Sequence, residues 1–416
     1  MNPSNQPGNI FRALFSQQKR ATLFRQLWIL LAESQRELGL EEITSEMIVE
    51  MKANRDDIRW VDIEERERKT KHDVMAHIGA FGEVCPPAKG IIHLGVTSCF
   101  VQDNADLIIQ REALDHLINS LAISLKLLGN FVDENTGLPT AGRASLHEPS
   151  LTTVGRRAAS WAVGFLNAFK KFRRVRAELR FRGVKGAVGT QDALVDLFST
   201  IDPATAKERA VQLDAMVAQK AGFEGKLFNV CGQTYPRYQD SDVISALSSF
   251  GSAAVKFAND LRFLQDVGEM SELSSDTEGQ QQVRSSAPMV LSGQIHGHSA
   301  ELMSYVVSPL GTFAHQGLER TLDDSPARRI NLPDAFLAAD AILSTLQRVF
   351  KGMCVRKDVV CANVPAEFRD AESKPTKCAI FLTEVMARQT RKFLDKELRP
   401  TMEEVRTITD GVQPAE

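Results

Sequence analysis

The chain has 416 residues, 43% of them hydrophobic and 25% charged, ordinary proportions for a globular protein large enough for more than one domain. A formal net charge of −3 excludes a nucleic-acid or membrane partner held by bulk charge. The cysteines at 85, 99, 231, 354, 361 and 378 form no C-x-x-C pair or zinc-type spacing and read as reduced thiols. The opening stretch MNPSNQPGNIFRALFSQQKR lacks an apolar signal core, and no apolar run is long enough to span a bilayer. The expected location is the cytoplasm.

Helical periodicity dominates the chain. Leu23, Leu27, Trp28, Leu31 and Leu38 recur at helical spacing over 21–40, and Leu107, Leu114, Ile118, Leu121, Leu125 and Leu128 over 104–131. Amphipathic runs follow over roughly 152–180, 242–268, 298–320, 332–352 and 377–396. Several exceed the usual length of a globular helix, which predicts an all-α long-helix bundle whose helices also pack against other subunits. Strand signals are few; the β-branched run Gly90–Leu94 is short. Three consecutive blocks are expected. The first is an N-terminal helical domain, 1–95, which contains Cys85-Pro86-Pro87 and Gly90. A central bundle, 96–350, comes next. A C-terminal helical segment, 351–416, contains Pro365 and Pro375.

Five polar clusters interrupt the periodicity. In Lys71-His72-Asp73-Val74-Met75-Ala76-His77 the two histidines are five apart, a poor fit to one helix face and so to a metal pair; a charged helix start is the plainer reading. His93-Leu94-Gly95-Val96-Thr97-Ser98-Cys99 offers hydroxyls and backbone N–H groups to an anion before a long helix, which Asp103 or Asn104 would equally well cap. Phe181 to Gln191 holds Gly183, Lys185, Gly186 and Gly189, a flexible cationic loop suited to a carboxylate or phosphate, or simply a connection. Gly232-Gln233-Thr234-Tyr235 is an uncharged hydrogen-bonding turn. The charges from Glu319 to Ser325, with Arg328 and Arg329, read either as a solvated helix end or as a phosphate site.

Taken in order, RQLWILLAES, KHDVMAH, GIIHLGVTSCFVQDNADLI, LTTVGRR, ELRFRGVKGAVGTQ, GQTY, SSA and ERTLDDSPARRINLPDAFLAADAILSTLQ resemble adenylosuccinate lyase of the animal and fungal kind, collinearly from about residue 20 to 350. The family belongs to the fumarase/aspartase superfamily. The resemblance implies a homotetramer around a shared helical bundle, with each active site built from three subunits and no cofactor or metal. It also implies C–N elimination in purine nucleotide biosynthesis, releasing fumarate from adenylosuccinate (to AMP) or from the succinyl-carboxamide ribotide. A flexible-loop serine is the family's base and a histidine in T-H-F-Q-P-A-Q its acid. By matching position, His72, Asp73, Thr97, Ser98, Lys185, Gln233, Arg320, Ser325 and Arg329 resemble the substrate-binding shell, and Ser285 falls on the base.

The sequence departs from the family at the acid. Gly142-Arg143-Ala144-Ser145-Leu146-His147-Glu148 puts Ser145 where the family has its histidine, and a serine hydroxyl is a very poor proton donor near neutral pH. His147, two residues on, replaces it only with a local backbone shift. The base loop, G-S-S-A-M-P-x-K-R-N-P in the family, reads Arg284-Ser285-Ser286-Ala287-Pro288-Met289-Val290-Leu291-Ser292-Gly293-Gln294, without the family's lysine and asparagine. The family's N-terminal Arg-Tyr has no counterpart near Phe11-Arg12, and beyond Val360 the resemblance fades. Four readings follow: an active C–N lyase with a changed substrate or with rearranged catalytic residues, His147 as acid and Ser285 as base; a catalytically impaired relative that still binds nucleotide; a subunit mixed with an authentic adenylosuccinate lyase; or misplaced splice boundaries in the gene.

Overall fold

The computed structural model describes residues 9–144, 150–272, 289–370 and 376–403. In chain order the helices are α1 (Asn9–Leu14), α2 (Gln17–Glu37), α3 (Ser45–Ala53), α4 (Trp60–Thr70), α5 (Asp73–Val84), α6 (Cys99–Glu134), α7 (Val154–Glu178), α8 (Asp192–Ser199), α9 (Ala206–Lys220), α10 (Tyr238–Asp266), α11 (Val290–Ser304), α12 (Val307–Ala314), α13 (Asp324–Gly352), α14 (Lys357–Ala362) and α15 (Lys377–Phe393). The fold is therefore mostly helical, but not wholly. Strand β1 (Pro139–Gly142) pairs antiparallel with β2 (Ser150–Thr153), Pro139 opposite Thr153, and β3 (Met270–Ser271) pairs with β4 (Cys354–Val355). These strands are too short for a period-2 pattern to show in the sequence.

The long helices match the apolar repeats, and side-chain oxygens cap several of them. Ser16 Oγ accepts from Lys19 N at α2, Thr44 Oγ1 from Met47 N at α3, and Thr376 Oγ1 from Ala379 N at α15. Three expectations need correction. The run 298–320 is not one helix: α11 ends at Ser304 and α12 restarts at Val307, because Pro309 lacks the N–H that a continuous helix would donate to the Tyr305 carbonyl. Helix α13 begins at Asp324, well before 332. Helix α6 begins at Cys99, so Asp103 and Asn104 lie inside it and do not cap it. Gly90–Leu94 is a turn, where His93 (φ 70°) and Gly95 (φ 75°) take left-handed backbone.

Two compact units emerge. Unit 1 comprises Met1–Ala113, Val175–Asp242 and Val307–Pro333; unit 2 comprises Leu114–Arg174, Val243–Val306 and Asp334–Glu416. In unit 1, Trp28 packs on Phe81 with ring centroids 6.1 Å apart and on Phe24 at 6.2 Å, and Phe181 packs on Phe223 at 5.1 Å. In unit 2, Phe257 is fully buried against Phe350 (5.1 Å), Trp161 (5.2 Å) and Phe165 (6.3 Å). Buried Glu269 accepts hydrogen bonds from Thr140 Oγ1 (3.3 Å), Arg157 NH1 (3.3 Å) and Asn363 Nδ2 (3.0 Å), satisfying a carboxylate that would be costly to bury alone.

Candidate active site

Every matched binding residue lies in unit 1, and a chain of contacts joins most of them. His72 is the N-cap of α5: its Nδ1 accepts from Met75 N at 3.3 Å, which leaves Nε2 as the ring's other polar atom. The plain reading of this cluster, a polar helix start, thus has a definite geometry. The neighbouring Asp73 carboxylate accepts from Val74 N (2.8 Å), Gln102 Nε2 (2.8 Å) and Arg329 NH2 (3.4 Å). Gln102 lies one helical turn from Cys99, whose Sγ stands 3.9 Å from Gln102 Oε1 and 3.8 Å from Gln233 Oε1. Arg320 NH1 donates to Gln233 Oε1 at 2.9 Å and to Cys99 Sγ at 3.3 Å. Asp73, Gln233, Arg320 and Arg329 are thereby linked through Gln102 and Cys99. Thr97 and Ser98, half-buried, immediately precede Cys99 at the start of α6.

The glycine loop is firmly braced. Arg182, fully buried, donates to the carbonyls of Gln233 (2.7 Å), Lys185 (3.0 Å), Gly186 (3.0 Å) and Gly183 (3.3 Å). Asn104 ties the same loop to α6, accepting from Arg182 N at 3.0 Å and donating to Gly183 O at 3.1 Å. Gly183 has φ 86°, and a Cβ there would sit 2.1 Å from Asp214 Oδ1, so the position excludes other residues. Lys185 is 5% exposed; its Nζ donates to Asp214 Oδ2 at 2.5 Å and to Arg182 O at 3.1 Å. A flexible loop presenting a cation to ligand is not what these contacts describe: the ammonium already has a buried carboxylate.

A cavity of about 470 Å³ opens beside α2, α4, α5, α6 and the start of α13. Asp73, Ser325 and Arg329 line it with Arg20, Trp60 and His77. Trp60 meets His77 edge-on at 6.1 Å, and burial pushes His77 down to about 4, so its ring is neutral at pH 7. The cavity has the volume of a small-ligand site and combines an aromatic wall with the guanidinium groups of Arg20, Arg328 and Arg329. Pro333, inside α13, also lines it; lacking an N–H, it leaves the Arg329 carbonyl without its helical donor.

Several residues here have partners that the sequence pattern does not signal. Arg237 donates to both oxygens of Asp103 (3.1 and 3.2 Å) and, through Nε, to Asp324 Oδ2 at 2.7 Å. Arg328 donates to Asp240 (2.6 Å) and Asp106 (3.2 Å), and the Tyr235 hydroxyl donates to Asp240 Oδ1 at 2.6 Å. Both guanidinium groups lie over the Tyr235 ring, at 4.5 and 5.2 Å. Asp324 and Arg328 are buried, so this part of the fifth cluster is an enclosed ion network and not a solvated helix end. His93, which opens the second cluster, has a buried place of its own: it accepts a 2.9 Å bond from Trp28 Nε1, and burial, with His72 nearby, pushes it down to about 4. His147 and Ser285 lie outside the described residues.

Comparison with known proteins defines the class first. The solved 3-carboxy-cis,cis-muconate lactonizing enzyme of Pseudomonas putida superposes with a TM-score of 0.73 at 19% identity, covering 94% of this chain and 87% of that one. The fumarate lyase of Mesorhizobium sp. BNC1 does so at 0.73 and 16%, covering 97% and 93%. The fold is that of the fumarase/aspartase lyases. No family model matches the chain. Adenylosuccinate lyase of Caenorhabditis briggsae is 44% identical over 349 residues, 84% of this chain and 72% of that protein. The enzymes of Schistosoma mansoni (40% over 359 residues, 85% and 72%) and Schizosaccharomyces pombe (39% over 358 residues, 85% and 73%) are similar at comparable length. The chain belongs to the adenylosuccinate lyase family.

Proposed function

We propose that this protein binds adenylosuccinate or the succinyl-carboxamide ribotide and eliminates fumarate by C–N cleavage. The observation that supports this most is the convergence of Asp73, Ser325 and Arg329 on one cavity, joined through Gln102 and Cys99 to Gln233 and Arg320. In this reading the guanidinium groups hold the anionic ends of the nucleotide. Thr97 and Ser98 receive a carboxylate, Ser285 removes the proton beside it, and His147 protonates the departing nitrogen. Lys185 acts by holding the loop shape. The reading includes assembly with further copies of the chain, the family's homotetramer. Exposed Val307, Leu310, Leu318 and Leu322 in unit 1 support a protein interface. Among the described residues no helix is long and apolar enough to cross a membrane, in keeping with a cytoplasmic site of action.

A second reading has its own support. Ser145 at the family's acid position, and the absence of its lysine and asparagine after Ser285, favour a relative that binds nucleotide without ordinary turnover, alone or mixed with an authentic lyase. Loss of a general acid alone slows such reactions by about 100- to 10,000-fold. Fumarate release from adenylosuccinate by the pure protein decides between them. Release abolished by His147→Ala and by Ser285→Ala supports the first reading. AMP binding without release supports the second, and neither release nor binding refutes both.

A further inference from the structure

In unit 1, Arg320 is only partly satisfied. Its NH1 is engaged by Gln233 and Cys99, but its buried Nε has no hydrogen-bond partner among the described residues. Its NH2 stands 3.8 Å from Asp324 Oδ1, too far for a hydrogen bond. Asp324 is fully enclosed, and that same Oδ1 is itself without a partner among the described residues. Its other oxygen is held by Arg237 Nε at 2.7 Å. One buried carboxylate thus stands between two guanidinium groups, and the geometry gives it to Arg237.

Arg237 is held from more than one side. Asp103 on α6 takes its two terminal nitrogens, and the Tyr235 ring lies beneath it. The Tyr235 backbone N–H binds the same Asp103, at 2.8 Å. Arg328, also over the Tyr235 ring, is occupied by Asp240 and Asp106.

We propose that Arg237 is a positioning residue: by holding Asp324 it keeps that carboxylate from closing onto Arg320, and so leaves the Arg320 guanidinium available to a carboxylate or phosphate oxygen of the ligand. The proposal rests on the reading that this site binds an anionic nucleotide. A closed Arg320–Asp324 pair would have to open before ligand bound, and affinity would fall by the fraction of molecules in which the pair is shut. Its signature is a reversal. Releasing Asp324 weakens binding, and neutralising the released carboxylate restores it. A merely structural network would instead suffer from both changes together.

The test uses the full chain, with AMP and inorganic phosphate as separate probes in isothermal titration calorimetry, and a thermal melt of each variant. Arg237→Lys keeps a positive charge for Asp103 but its single ammonium cannot reproduce the bridge to Asp324. It is expected to weaken AMP binding about tenfold. Adding Asp324→Asn is expected to bring affinity back to within about threefold of the wild type. A folded Arg237→Lys protein that binds AMP as the wild type does, or a double variant that stays weak, overturns the proposal. Should Arg237→Lys fail to fold, Asp324→Asn alone decides: unchanged or tighter binding supports the proposal, and weakened binding refutes it. A wild type that binds phosphate but not AMP refutes the nucleotide reading, and the same comparisons are then made with phosphate. A wild type that binds neither refutes both.

Discussion

Replacing Lys185 with methionine separates two roles the residue could have. Its ammonium bonds Asp214 at 2.5 Å, and the other oxygen of Asp214 accepts from Val184 N at 2.6 Å. Methionine fills most of the volume but leaves the Asp214 carboxylate buried with only that backbone donor. Breaking a buried pair from one side costs about 3–5 kcal/mol. For a unit of this size each kcal/mol shifts the melting temperature by roughly 2–4 °C, so a drop of about 10 °C is expected in circular-dichroism melts. Asp214→Asn added to Lys185→Met removes the stranded charge and should recover much of the loss. Affinity for AMP, measured well below the melt, should change less than stability does. A Lys185→Met protein that melts with the wild type yet no longer binds AMP would show that the ammonium acts on ligand, and the structural account of Lys185 would be wrong.

Gly189→Ala should destabilise by about 1–3 kcal/mol in urea titrations, because φ is 82° there and a Cβ would lie 1.9 Å from the Cys231 carbonyl oxygen. Phe257→Ala should cost about 3–5 kcal/mol, seen in calorimetry, since its ring fills the space between Trp161, Phe165 and Phe350. Stability should also fall on acidification. Burial pushes both His77 and His93 from 6.5 down to about 4, so between those values the unfolded chain binds more protons than the folded one. The contribution is fully present above pH 6.5 and lost as pH drops toward 4, with roughly 3 kcal/mol per histidine as an upper bound. His77→Gln and His93→Gln variants should flatten that slope; an unchanged profile would refute the assignment.

The long helices were legible because their apolar residues repeat with the helical period, as along α6 and α10. The start of α13 was not. From Asp324 to Arg329 it carries Asp324, Ser325, Arg328 and Arg329, and such polarity alone reads as exposure. Here it reflects partners brought from far along the chain, Arg237 for Asp324 and Asp240 for Arg328. Lys185 misled in the opposite direction. Glycines on either side of a lysine suggest mobility, whereas Arg182 and Asp214 immobilise the loop through bonds that no local pattern encodes. The proposed binding shell rests only on the order of its motifs, since no cluster is distinctive by itself. His72 shows the overlap of roles: its Nδ1 caps α5 in a position the family uses for substrate.

Cys99 gives this arrangement a chemical reporter. The thiol is fully buried where Gln102, Gln233 and Arg320 meet, and burial, reinforced by Asp103, pushes it up to about 12. It is therefore protonated and inert toward alkylating agents at neutral pH as long as these side chains stay together. Exposed Cys378 is open to reagent from the start. Slow labelling of Cys99, followed site by site in a mass spectrometer, then counts the moments at which the cluster comes apart. A ligand gripped by Arg320 would lengthen the interval between them, so occupancy could be read from the thiol beside that guanidinium.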